Sequence, residues 1–176
     1  AFDISDVLNT ICEKLIKRHP HIYGNVQVNN AKDVKQNWEK IKLDEGKKSV
    51  LEGVPKALPA LVKASRIQEK VAGVGFDWER PEQVFGKVEE ELQEFKTEVE
   101  QKSQMAMEAE FGDILFSLIN YARFLKINPE NALERTNKKF IKRFKHLEQL
   151  LQNSKRKFSN MTLEQMNVLW EEAKNQ

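Results

Sequence analysis

Helical periodicity runs through almost the whole chain and is interrupted only where glycine and proline gather, at 46–59 and again at 73–81. Apolar residues recur three and four apart, and no alternating strand pattern competes with them. A chain built this way has to bury itself as helices packed on helices. The spacing predicts helices over 5–18, 32–42, 59–71, 82–102, 104–126, 129–152 and 162–173. Two starts are written explicitly. Asn128 before Pro129 puts a cap residue ahead of a proline at the first helical position, and Thr162 with Gln165 forms a capping-box pattern. The class is all-α: a four-helix-bundle core on the four longer helices, with extra amino- and carboxy-terminal helices.

At 176 residues the chain can bury a core without disulfides. The single cysteine, Cys12, cannot form an internal bridge, which suits a reducing compartment. No charge-free apolar run approaches the ~20 residues of a membrane span, and the start does not resemble a leader, so the expected setting is soluble and cytoplasmic. A net charge of +2, from 29 basic and 27 acidic residues, does not specify a nucleic-acid partner. The charge is unevenly placed, however: 87–110 is acidic and 138–157 strongly basic. An acidic block that collects a metal and a basic block that faces an anion suit a phosphate-bearing substrate; solvated helix faces of opposite bias are the simpler explanation.

A faint internal repeat bears on the organisation. ICEKLIKRHPH from Ile11 lies over TNKKFIKRFKH from Thr136, placing Lys14 on Lys139, Leu15 on Phe140, and Lys17 and Arg18 on Lys142 and Arg143. Downstream, NAKDVKQNWEK from Asn30 lies over TLEQMNVLWEE from Thr162, with Trp38 on Trp170. The pattern suggests two copies of one unit with only the tail of the first present. Residues 1–54 would then be the tail of an incomplete amino-terminal repeat and a linker, and residues 55–176 the complete catalytic unit.

The chemistry concentrates in two small acid groups, EELQE at Glu90 to Glu94 and EFGD at Glu110 to Asp113. On a helical wheel Val84, Val88, Leu92, Phe95 and Val99 form a stripe, and Glu91 falls inside it. Glu94 lies at its border and Glu90 points away. A buried unpaired carboxylate is too costly to be filler, so Glu91 requires a basic partner or a cation. On the next helix Phe111, Leu115, Leu118, Ile119, Ala122 and Leu125 make the apolar face, beside Glu110 and Asp113. A short turn near Ser103 makes the two helices antiparallel neighbours, bringing the acids to comparable depth. Oxygen ligands with no histidine nearby point to a hard ion, Mg²⁺ or Mn²⁺. Spacing alone leaves interhelical salt bridges and plain solvation open.

These motifs resemble the paired acidic signature of the MazG-type nucleoside triphosphate pyrophosphohydrolases. Further similarity lies in ASRIQEKVAGVGFDW from Ala64, GDILFSLINYARFL from Gly112, NKKFIKRF from Asn137 and LWEEAK from Leu169, together spanning 55–174. The segment FDISDVLNTICEKLIKRHPHIYG from Phe2 resembles the end of the first of two tandem repeats in longer members. The resemblance implies an all-α pyrophosphatase fold and Mg²⁺ (with Mn²⁺ as a substitute) held by Glu91, Glu94, Glu110 and Asp113. It implies hydrolysis of the α–β phosphoanhydride of a nucleoside triphosphate to a monophosphate and pyrophosphate. It places Lys139 and Arg143 on the phosphates, with Arg66 and Lys70 as further contacts, and Trp170 near the nucleotide or anchoring its helix. It also implies a homodimer, in keeping with apolar residues such as Phe116 and Tyr121 that lie off the main face of their helix. The alternatives are an all-α pyrophosphatase restricted to deoxyuridine or deoxycytidine triphosphate, and a helical interaction module whose acids bridge to its lysines. Gly73 and Gly75 lack the G-x-x-x-x-G-K spacing of a phosphate loop and are expected to end a helix and seat Phe76 and Trp78 against the bundle. His146 is expected to be solvated.

Overall fold

The computed structural model describes residues 2–46, 48–154 and 156–174, without the side chains of Ala31, Lys32, Lys35, Gln36, Glu39 and Leu43. Lys155, in the basic run, lies outside the described residues. Among the described residues eight α-helices follow in order: α1 (Ile4–Arg18), α2 (Pro20–Tyr23), α3 (Ala31–Asp44), α4 (Ala60–Gly73), α5 (Pro81–Gln101), α6 (Gln104–Phe124), α7 (Pro129–Asn153) and α8 (Leu163–Lys174), with a 3₁₀ turn at Phe158–Asn160. No strand occurs among the described residues, so the all-α class holds. All seven predicted helices form, each within three residues of its expected limits at either end. The four-residue α2 and the 3₁₀ turn were not predicted, being shorter than the window in which a helical period shows.

The capping chemistry explains the boundaries. Asn128 Oδ1 accepts from the Asn131 amide at 2.9 Å. At α8 the Thr162 amide donates to Gln165 Oε1 at 3.1 Å while the Gln165 amide donates to Thr162 Oγ1 at 3.3 Å, the reciprocal pair of a capping box. Helix α1 starts on a similar exchange between Asp3 and Asp6. Helix α4 ends where Gly75, at φ +91°, turns the backbone left-handed. There the Gly75 amide bonds to the Ala72 carbonyl and the Phe76 amide to the Val71 carbonyl, a Schellman closure.

Two compact units divide the chain, Ala1–Lys126 and Ile127–Gln176. In the first, α5 and α6 form an antiparallel hairpin, reversed at Lys102, whose φ of +57° is left-handed without a glycine. Phe85 meets Tyr121 in a tilted contact with ring centroids 5.2 Å apart, and Phe95 meets Phe111 likewise at 5.9 Å. The two ring pairs are equally spaced along both helices, so the register is the same at each and Glu94 falls opposite the turn carrying Glu110 and Asp113. Helix α4 packs on α6, where Gln68 Nε2 donates to the Phe116 carbonyl at 2.8 Å. Helix α3 packs on α1 and α4, and Arg18 of α1 grips Glu45, just beyond α3, at 2.5 Å. Trp38 of α3 carries the Lys42 ammonium over its ring, 3.4 Å from the centroid.

The second unit packs α7 on α8 around buried Leu147, Leu151 and Ala173. Phe140 and Trp170 meet at 5.0 Å between centroids, and Phe144 stacks on Phe158 at 5.5 Å.

Two expectations about faces are corrected. On α6 the buried residues are Ile114, Ser117 and Ile119, whereas Phe111, Leu115, Leu118 and Leu125 are exposed. This helix is apolar on most sides, so periodicity cannot choose the side that α4 and α5 cover. Phe76 is 80% exposed and Trp78 is also exposed, so neither is seated in the core. The residue between them anchors the loop instead: Asp77 accepts two bonds from Arg123 of α6, at 2.5 and 2.9 Å.

Candidate functional site

The first unit builds its site on the α5–α6 hairpin. Val84, Val88 and Glu91 lie on one line of α5, and all three are buried; Glu91 retains only 6% exposure. Leu92, one residue on, is exposed, so the carboxylate takes the core-facing position. A cation comes from its own helix: Lys87 Nζ lies 2.9 Å from Glu91 and 3.0 Å from Glu90. These bonds, first to Glu91 and then to Glu90, raise the Lys87 pKa and hold the ammonium charged. Lys87 was not singled out from the sequence, although a lysine four residues before Glu91 is the spacing at which helical partners meet.

Glu91 also faces acids. One carboxylate oxygen each from Glu91, Glu94 and Glu110 lies within 4.8 Å of the others. Glu94 is exposed and Glu110 half-buried. Partial burial raises the Glu110 pKa, and the negative charges of Glu94, Asp113, Glu91 and Glu98 push it the same way. Asp113 is exposed and falls outside the converging trio, but its charge reaches Glu110. The hairpin therefore gathers like charge, which is unfavourable unless something cationic joins it.

The donor set fits a hard divalent ion. All three converging donors are carboxylate oxygens, and an ion that takes ligands at about 2.1 Å separates opposite ones by about 4.2 Å. The three oxygens, all within 4.8 Å of one another, are gathered on that scale. A softer metal would favour imidazole or thiolate, and no such group belongs to the trio.

The other sequence candidates are placed as follows. On α4, Arg66 pairs with Glu69 at 2.8 Å. Lys70 is 3% exposed and its ammonium donates to the Val50 carbonyl at 3.1 Å. In the second unit Lys139 and Arg143, one turn apart on α7, share a cavity of about 370 Å³ with Lys142 and His146 and with Ala173 and Lys174 of α8. Trp170 is half-buried against Phe140. The expected solvation of His146 is not found at its ring: Nε2 is buried and has no hydrogen-bond partner among the described residues. A lone histidine on a basic helix carries no sequence signal of this; it follows from α8 covering that face.

No helix among the described residues is long and apolar enough to cross a membrane. A family model described as the MazG nucleotide pyrophosphohydrolase domain matches residues 79–148, which include both acid groups and the basic run at Lys139 to Arg143. The chain is 44% identical over 177 aligned positions to a Thermotoga maritima protein named nucleoside triphosphate pyrophosphohydrolase/pyrophosphatase MazG, covering 99% of the chain and 67% of that protein. It is 37% identical over 181 positions to the nucleoside triphosphate pyrophosphohydrolase of Escherichia coli K12, covering 99% and 69%. It is also 48% identical over 177 positions to the uncharacterized protein YabN of Bacillus subtilis, covering 98% of the chain and 36% of that protein.

Proposed function

Because the chain belongs to the MazG family of nucleotide pyrophosphohydrolases, we propose that it cleaves the α–β phosphoanhydride of nucleoside triphosphates, releasing a nucleoside monophosphate and pyrophosphate. The observation that carries this reading within the family is the convergence of Glu91, Glu94 and Glu110 on the α5–α6 hairpin. Glu91, Glu94, Glu110 and Asp113 would hold Mg²⁺, with Mn²⁺ as a substitute. When bound, the ion supplies charge neutralisation to the phosphate oxygens.

The chain's own groups carry the remaining work. Lys87, with its ammonium 2.9 Å from Glu91, offsets the negative charge at this buried position. A glutamate of the cluster orients the attacking water. Lys139 and Arg143, lining a cationic cavity, take phosphate oxygens and absorb charge that develops on the leaving pyrophosphate. Arg66, Lys70 and Trp170 complete the proposed substrate contacts. The catalytic unit is proposed to span 55–176. The exposed apolar side chains of Leu92, Val99, Leu115 and Leu118 suit a homodimer, and an exposed lone Cys12 suits the cytoplasm.

The test is product analysis. Each nucleoside and deoxynucleoside triphosphate is incubated with the protein and Mg²⁺, and the products are separated. Monophosphate with stoichiometric pyrophosphate is expected; turnover confined to deoxyuridine or deoxycytidine triphosphate would identify the restricted enzyme. Diphosphate with inorganic phosphate, or no turnover of any of them, would overturn the assignment.

A further inference from the structure

We propose that α1 carries a second pyrophosphate-binding site, which Glu45 occupies and holds shut with its own carboxylate. This rests on the reading of Lys139 and Arg143 as phosphate ligands, since α1 repeats their helix.

The internal repeat gives the first indication. It lays Lys14, Lys17 and Arg18 of α1 on Lys139, Lys142 and Arg143 of α7, type for type, and the offset that pairs Trp38 with Trp170 carries Lys42 of α3 onto Lys174 of α8. Each unit packs its basic helix on its tryptophan-bearing helix, α1 on α3 and α7 on α8. In the second unit all four counterparts line the cavity of about 370 Å³. The same cations therefore recur in the same order on the same pair of helices.

The second indication is an oxyanion already seated on α1. Arg18 Nε donates to Glu45 Oε2 at 3.1 Å and to Oε1 at 3.3 Å, and Nη2 donates to Oε2 at 2.5 Å. Both side chains are partly buried. The hydrogen bond from Arg18, and then the charges of Arg18, Lys17 and Lys14, lower the Glu45 pKa against the effect of burial. All three cations of α1 thus act on one carboxylate. A guanidinium fork takes carboxylate and phosphate oxygens in the same way. Glu45 is tethered to the chain and always present, whereas pyrophosphate has to arrive from solution. It excludes the dissolved anion twice, by filling the fork and by repelling its charge. The second unit has no such plug in its cavity lining, which includes no acid among the described residues; Glu171 pairs with Lys174 at the surface.

The experiment titrates inorganic pyrophosphate calorimetrically into the full chain, with EDTA present so that the acidic hairpin contributes no metal-mediated binding. Glu45→Gln removes the charge and keeps the shape; Glu45→Ala is the second variant, and whichever melts like the parent carries the comparison. The parent is expected to bind about one pyrophosphate per chain, lost in Lys139→Met with Arg143→Met, and the Glu45 variant about two. The gained site should bind at least about tenfold more tightly than any binding at α1 in the parent, the scale of one hydrogen bond between charged groups. Adding Arg18→Met to the Glu45 variant should return the stoichiometry to that of the parent. A Glu45 variant that binds no more pyrophosphate than the parent, a gained site that survives Arg18→Met, or a parent that already binds through Arg18 overturns the inference. A parent that binds none, beside a Glu45 variant that gains an Arg18-dependent site, sustains the inference and removes Lys139 and Arg143 as phosphate ligands instead.

Discussion

Replacing Lys87 by methionine isolates the conflict at the centre of the acidic hairpin. Methionine keeps the aliphatic stem and the helix propensity and removes only the charge. Glu91 is buried and then loses the cation 2.9 Å away while Glu94 and Glu110 remain close by. Taking one partner from a fully buried pair costs about 3–5 kcal/mol, whereas an exposed pair four residues apart on a helix contributes about 0.3–0.5 kcal/mol. Lys87 lies between these limits, with its side chain 36% exposed and Glu91's 8%. Screening from solvent brings the expected loss to about 1–2 kcal/mol. For a chain of this size that lowers Tm by roughly 2–8 °C. The assay is thermal denaturation of parent and Lys87→Met in EDTA and again with Mg²⁺. A divalent ion at the cluster can replace the missing ammonium, and ligand that binds only the folded state stabilises it. Mg²⁺ is therefore expected to raise the Tm of the variant more than that of the parent. A variant that melts with the parent in EDTA, or equal Mg²⁺ shifts in both proteins, would refute this account of Glu91.

Three further outcomes follow from the same geometry. Glu94→Gln is expected to reduce pyrophosphate release at saturating Mg²⁺ by about a hundredfold or more, and release at the parent rate would remove Glu94 from the site. The Glu110 pKa is raised above its unfolded value, first by burial and then by neighbouring acids, so its ionised form opposes folding. The metal-free protein should gain stability from this group as pH falls from neutral through the raised value, and Glu110→Gln should be more stable than the parent at neutral pH and lack that component of the pH response. Glu45 behaves oppositely. Its hydrogen bond from Arg18 lowers its pKa, so the pair's contribution, about 1 kcal/mol for a partly exposed bidentate contact, is present at neutral pH and lost as pH falls through the lowered value. Arg18→Met should flatten that part of the acid-denaturation profile, and an unchanged profile would show that the pair adds nothing.

The helices and their limits were determined by the sequence, because a cap is a local event: Asn128, Thr162 with Gln165, and Gly75 act on amides within a few residues of themselves. The two acid groups were equally legible, since a carboxylate inside an apolar stripe contradicts its neighbours whatever the tertiary context. Glu91 is accordingly buried. The partners of these groups depended on the tertiary structure. Which side of α6 faces the core was decided by α4 and α5, because a helix that is apolar on most sides gives periodicity no phase to read. The convergence of Glu91, Glu94 and Glu110 was set by the register of the hairpin, which the Phe85–Tyr121 and Phe95–Phe111 contacts fix across helices. His146 changed most: a residue that looked solvated on its own helix has a ring nitrogen that is buried and without a partner among the described residues, on the helix that α8 packs against. Burial is a property of the surface that arrives from elsewhere in the chain, and no window of local sequence contains that surface.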